Sequence, residues 1–543
     1  MSNLDNFNNI YANLTESAYN NRPANFPFKE LTLDKREKLR SGNSVEYDFS
    51  KDMKVKGKVT VHGGKNLPNN GKVFLQPDPT VKVVKDETAL SFPILASPIT
   101  SSTYHKGLLT DEKAGFNAYF VTDTPKLNEK TKNAYFVTRG SDAAGVNTLN
   151  DWWSNNASFT LKDAYIPQTQ LATKALQTKI KEMKQQAPQA KISITGHSLG
   201  TMVSIQAIAN LPASDIEAIE RVVLFQGPDA RASIQKMSKE AQMNIKHLEA
   251  AGKIDYYVNP FDLVSMLNRN QKGVDEIGNI HYLLPKSYTT TFDRKDKNGS
   301  SHDFGQYQMN ADGTLKVATL KDHPEIFAAG QKLSAFIDQT LTELERVLIP
   351  GVLTAFGVLS YLMTQGSSAA GLVIKANGKL TYAQAKAIYN EYVTIIETAK
   401  IESQRKQTIN YLQTQIQATS GSQKIQYQEA LVREVAAQAA AFGEEYQAIV
   451  ANIIDEAEAE IDQVAQEVET AAWTLQHYLP VSEVEAMIAD FRKEALWDAV
   501  EAASIKVQTR AYRQQLNEAS DKLNEAATKI KDADQQAAKL FQK

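Results

Sequence analysis

The run Ile192 to Ala209, ISITGHSLGTMVSIQAIA, constrains the fold more than any other stretch of the chain. Ile192, Ile194 and Thr195 read as a buried strand. Gly196-His197-Ser198-Leu199-Gly200 follows, and then small and apolar residues at helical spacing. A strand that becomes a helix within one tight turn brings backbone segments too close for a Cβ, so glycine is needed on either side of the serine. Such a turn exposes the Ser198 hydroxyl and aims the next helix's N-terminus at developing negative charge. Gly196 and Gly200 are the elbow glycines, and Ser198 is the candidate nucleophile.

The surrounding residues support a layered α/β domain. NAYFVTRG (Asn133 to Gly140), AKISITG, ERVVLFQG and KIDYYVNP read as strands, and helical patterns separate them. One such helix carries Ala172, Leu176, Ile180 and Met183 on one face. A serine hydroxyl is a poor nucleophile at neutral pH, so it needs a base, and the base needs an orienting acid. Asp262, in KIDYYVNPFDLVSML just past a strand, is the favoured acid. Asp229 is its rival, although it also suits the cap of the following helix. His302, in the polar loop DKNGSSHDFGQY, is the favoured base over His281 in an apolar strand and His323 before Pro324. His197 is expected to point away from the serine and pack.

After His323 the pattern becomes helical. Phe442, Tyr446, Ile449, Ile453, Ala457, Ile461, Val464, Val468, Ala472 and Leu475 recur at steps of three and four, which predicts one apolar stripe on a long helix. Leu516, Ala519, Leu523, Ala526, Ile530, Ala533, Ala537 and Leu540 predict a second, coiled-coil-like seam. Helices of about 50 residues extend about 75 Å, so an elongated arm is expected. Between Leu431 and Pro480, Arg433 stands against ten Asp or Glu, a solvated acidic face or a surface for a basic partner. The expected domains are an α/β unit over 1–325, an apolar connector or helical hairpin over 326–380, and an elongated all-α domain over 381–543.

Composition narrows the function classes. The net charge of −3 argues against nucleic acid, and the absence of cysteine excludes disulfides, thiolate catalysis and Cys-based zinc sites. The first residues lack the basic start and apolar core of a signal peptide. Val347 to Ile374 is uncharged, but Pro350, Gly351, Gly357 and Gly366 interrupt it, so a buried connector is favoured over membrane contact. The loop DRKDKNGSSHD offers oxygen ligands near Gly299 that would suit Ca2+, but it lacks EF-hand spacing. A surface loop is expected, with no required cofactor and no metal site.

Taken in order, YFVTRGSDAAGVNTLNDWW, ISITGHSLGTMVSIQAIA and VNPFDLVSML resemble the class 3 lipase family of α/β hydrolases, over about residues 60 to 325. The resemblance implies that Ser141, after Arg139-Gly140, and the backbone N–H of Leu199 form an oxyanion hole. It also implies a lid near Asp142 to Asn156, with Trp152 and Trp153 as candidate lid or substrate contacts. The aromatic that many relatives carry before Arg-Gly is replaced here by Thr138. The order of parts resembles the lipase toxins exported by type VII secretion in staphylococci and related Gram-positive bacteria, which end in an LXG-like helical domain. That likeness implies membrane-lipid substrates, small helical partner proteins on the C-terminal helices, and an immunity lipoprotein. It further implies a cytoplasmic state before export without a cleavable signal. Two other classes remain open: a cytoplasmic esterase with a self-associating helical tail, and a binding or scaffold protein on a hydrolase fold.

Overall fold

A computed structural model of the chain describes residues 10–19, 33–51, 53–55, 58–61, 71–88, 100–140, 168–269, 275–293, 295–310, 314–347 and 381–541. It also describes residues 355, 358, 359, 362 and 363. The chain divides into two compact units, Met1–Lys400 and Ile401–Lys543.

The first unit is built on one mixed sheet. Its early strands are β1 (Val45–Asp48), β4 (Lys72–Leu75), β5 (Lys82–Thr88), β6 (Thr100–Lys106), β7 (Thr110–Asp111) and β8 (Phe116–Thr122); β2 (Met53–Val55) and β3 (Lys58–Val61) form a separate hairpin. The strands β9 (Asn133–Thr138), β10 (Lys191–His197), β11 (Ile219–Phe225), β12 (Ile254–Val258) and β13 (Asn279–Tyr282) lie side by side in chain order, all parallel. β8 joins β9 antiparallel and continues the sheet on that side.

Parallel strands need crossovers and are covered on both faces, so they read as near-continuous apolar runs. Successive residues here go to opposite layers. Ala134, Phe136, Val222 and Leu224 enter the larger core, while Tyr135, Val137, Val223 and Phe225 enter the smaller one. Helix α1 (Ile10–Ser17) packs in the smaller core with Phe304 and Tyr307, and α2 (Leu33–Arg40) packs Leu39 against it. The larger core holds α3 (Gln168–Gln186), α4 (Leu199–Ala209) and α5 (Lys239–Ala250). Ala172, Leu176, Ile180 and Met183 are buried, as their spacing predicts. Every residue of α4 is buried, which explains its lack of a polar stripe.

The short α6 (Leu263–Met266) precedes β13, and α7 (Pro324–Val347) follows the β-rich part. Leu333, Phe336 and Ile337 of α7 sit in the larger core, and so do Ala385, Ile388, Tyr392 and Ile396 of α8 (Tyr382–Ala418). The compact unit therefore runs to Lys400, beyond the residue 325 at which composition shifts. Most of the apolar stretch from Val347 to Ile374 lies outside the described residues; within it Ala355, Val358, Leu359, Leu362 and Met363 are buried. Among the described residues, no helix is long and apolar enough to cross a membrane.

In the second unit, α9 (Gly421–Trp473) and α10 (Ala499–Phe541) pair antiparallel: Ser422 bonds Asp534, Arg513 reaches Glu444, and Lys506 reaches Asp455. The packed face keeps Ala472 and Leu516 of the predicted stripes but is shifted by one residue at other positions. Ala436, Gly443 and Ile454 are buried, whereas Phe442 is 52% and Ile453 59% exposed. On α10, Ser520 and Ala527 are buried, while Ala519 and Ala526 are exposed. The physical reason is close approach. A Cβ on Gly443 would stand 3.3 Å from the Leu516 side chain, so a small residue is needed there, and Tyr446 meets Tyr512 edge-to-face across the pair at 5.3 Å between ring centroids.

On β12, Asp255 accepts from Arg221 Nε at 3.0 Å and Nη2 at 2.8 Å, and His281 Nε2 lies 2.9 Å from its Oδ1. Burial alone would raise this carboxyl, but His281 and Arg221 outweigh it and hold it below its ordinary value. A depressed carboxyl contributes stability above the unfolded value of about 3.9 and loses it as pH falls through the folded one. Asp255→Asn is therefore expected to lower the thermal midpoint near pH 7. Wild type and variant should draw together in thermal denaturation as pH falls below the ordinary carboxylate value of about 3.9; a gap that stays constant in acid would contradict the assignment.

Candidate active site

Ser198 sits between β10 and α4 with φ 57° and ψ −133°, a left-handed conformation for a residue with a Cβ. Strain of this kind costs on the order of 1–3 kcal/mol and survives only where the surroundings enforce it. The enforcing contacts are visible. Ser198 N–H donates to Phe225 O at 3.0 Å, and Thr201 Oγ1 donates to Ser198 O at 2.8 Å. A Cβ on Gly200 would stand 2.8 Å from the Thr138 carbonyl oxygen and 3.1 Å from Gly140 N, both backbone atoms. Gly196 is equally closed, facing Thr138 Oγ1 and the Gly200 carbonyl. Leu199 opens α4, so its N–H belongs to the turn whose donors have no intrahelical partner.

Asp262 lies just past β12 as the N-cap of α6 and is fully buried. Its Oδ1 accepts Val264 N–H at 3.1 Å and Thr291 Oγ1–H at 3.3 Å. Its Oδ2 accepts Ser265 N–H at 3.0 Å and Ser265 Oγ–H at 2.5 Å. The same oxygen stands 2.8 Å from His302 Nδ1. A carboxylate only accepts, so Nδ1 carries the proton, and a neutral His302 keeps its lone pair on Nε2.

The loop bearing His302 is tightly held. Asp293, Asp296 and Asp303 each accept a backbone N–H within it. Gly299 turns at φ +86°, where a Cβ would strike Asp303. The Ser301 carbonyl takes Asn259 Nδ2 at 2.7 Å and Gln226 Nε2 at 2.5 Å. These carboxylates are engaged in turns, and no group of three or more His, Cys, Asp or Glu that could hold a metal occurs among the described residues.

His197 joins this loop to the elbow. Its Nε2 faces Gln226 Oε1 at 3.1 Å, its Nδ1 faces Tyr19 OH at 2.7 Å, and its ring centroid is 4.6 Å from that of His302. The structure thus brings the Asp262–His302 pair to the residue immediately before Ser198. The rivals lie elsewhere. Asp229 accepts Arg231 N–H at 2.8 Å and Ile277 N–H at 2.9 Å, His281 stacks on Tyr257, and His323 pairs with Glu325. Ser141, Trp152, Trp153 and the expected lid fall outside the described residues. Tyr19, Gln226, Asn259 and Thr291 escaped the sequence reading, because each acts through space on a residue far away in the chain.

Residues 129–265 match the cutinase family. A cutinase-family domain, of the α/β-hydrolase superfamily and related to serine hydrolases, is present over that part of the chain. The long helical region lies beyond the match. No curated protein matches the chain.

Gly200→Ala is expected to cost about 1–3 kcal/mol or more, since the clashing atoms are backbone. Thermal unfolding followed by circular dichroism checks this; an unchanged midpoint would show that the elbow is looser than described.

Proposed function

We propose that the protein is a serine ester hydrolase in which Ser198, His302 and Asp262 work as nucleophile, base and orienting acid. The observation that carries the reading is the strained Ser198 turn, whose neighbour His197 meets the ring of a histidine with its Nδ1 bonded to a fully buried carboxylate. His302 Nε2 takes the Ser198 proton as Oγ bonds to an acyl ester carbonyl carbon, whose π electrons move to oxygen. The Leu199 N–H and Ser141 stabilise that oxyanion. The intermediate collapses, the ester C–O bond breaks, and His302 returns the proton to the departing alcohol. Water, deprotonated by His302, then cleaves the acyl-enzyme and frees the acid.

The finer reading is a lipase or phospholipase acting on membrane lipids. It is carried out through type VII secretion as a toxin, with small helical partners on the C-terminal helices and an immunity lipoprotein in the producer. Its support is the order of parts, hydrolase-type unit first and helices last.

The test is purified full-length protein against p-nitrophenyl esters and phospholipid vesicles, with products identified by mass. Ser198→Ala and His302→Ala should each lower kcat by at least about a thousandfold. A fluorophosphonate probe should label Ser198 alone. Unlabelled Ser198, or full turnover by the alanine variant, would leave a binding or scaffold protein on a hydrolase fold.

A further inference from the structure

We propose that Tyr392, on helix α8, is a positioning residue for Asp262, acting through the Phe261 carbonyl and through Thr291. The inference rests on the reading of Asp262 as the acid that orients His302.

Tyr392 is fully buried, and its ring stacks on Phe336 of α7 with planes 8° apart. Its hydroxyl donates to Phe261 O at 2.7 Å and accepts Thr291 N–H at 2.8 Å. Thr291 Oγ1 stands 3.0 Å from the same hydroxyl, accepts Leu263 N–H at 2.7 Å, and donates to Asp262 Oδ1 at 3.3 Å. The residues directly before and after Asp262 are thus both tied to this pair of hydroxyls. A phenol has one proton and two lone pairs, and the arrangement uses the proton for one loop and a lone pair for the other.

Nothing else about α8 requires a tyrosine here. The neighbouring core positions Ala385, Ile388 and Ile396 are apolar, and a phenylalanine would fill the same volume. Removing the hydroxyl takes from the Phe261 carbonyl one of its donors, Ser301 Oγ–H at 3.0 Å being another, and leaves the Thr291 N–H without this partner in a site closed to water. The Asp262 loop then loses its fixed position, and small displacements of reacting groups are costly to rate. Tyr392 lies far past residue 325, so the helical region supplies part of the site's support.

The experiment compares Tyr392→Phe and Thr291→Val with wild type in the full chain, with Thr291→Ser as the conservative control. In ester hydrolysis, Tyr392→Phe and Thr291→Val should lower kcat by about ten- to a hundredfold with KM within about twofold, while Thr291→Ser stays near wild type. A second readout does not depend on turnover. The downfield imidazole N–H proton resonance of the Asp262–His302 bond, assigned by its loss in His302→Ala, should broaden or move in Tyr392→Phe. If that resonance is unchanged, the proposal is overturned whether or not the protein hydrolyses esters. Unchanged kcat alongside Ser198-dependent turnover in wild type overturns it too. An altered resonance without Ser198-dependent turnover in wild type keeps the positioning role and removes only the hydrolase reading.

Discussion

The backbone at Ser198 is the constraint on which the rest of the site depends. A φ of 57° in a residue with a Cβ is unfavourable, and it is held by three neighbours at once. β11 accepts the Ser198 N–H, the segment Thr138 to Gly140 presses on Gly200, and Thr201 turns back onto the Ser198 carbonyl. Phe225 and Thr138 belong to strands of the parallel sheet, and Thr201 lies in the first turn of α4. β10 pairs Gly196 with Thr138 of β9, and Gly196 and His197 with Leu224 and Phe225 of β11, so the carboxyl ends of the three strands arrive together. The site sits where the sheet delivers its strand ends, the usual place for function in parallel α/β layers.

Around that turn the polar groups form linked layers rather than isolated pairs. Gln226 faces His197 with its carbonyl oxygen, takes Tyr307 OH on it, and donates its amide to Ser301 O. Asn259 reaches the same Ser301 carbonyl. The imidazole of residue 302 is consequently located by its backbone, by Asp262, and by the ring of His197 beneath it. Buried networks of this kind rigidify when every member is satisfied.

The elbow was legible because all its determinants are local: a strand pattern, two glycines and a helix pattern within eighteen residues. Asp262 and His302 were legible only as the best of short lists, since chain order and loop polarity narrow the choice without showing contact. Tyr392 was invisible for a related reason; a tyrosine in a helical stretch looks like any core aromatic until its hydroxyl has partners. The helical arm was legible as helix, but its seam was not. Periodicity marks the bulky stripe through Phe442 and Ile453, whereas the packed face runs through Ala436 and Gly443, where backbones draw close. Composition shifts near 325 because strands give way to helices, yet packing into the first unit continues to Lys400.

Helix α1 carries a consequence for the timing of assembly. Thr15 Oγ1 meets Thr195 Oγ1 at 2.6 Å, a partner 180 positions later, and Tyr19 meets His197 178 positions later. On a growing chain these early side chains wait, unmatched, until β10 and β11 have left the ribosome. At the other end the wait is repeated, because the Phe261 carbonyl meets the Tyr392 hydroxyl only 131 positions on. The first and the last pieces of the unit both close on the same centre, so ordering of that centre comes late in biosynthesis and requires nearly the whole first unit to be present.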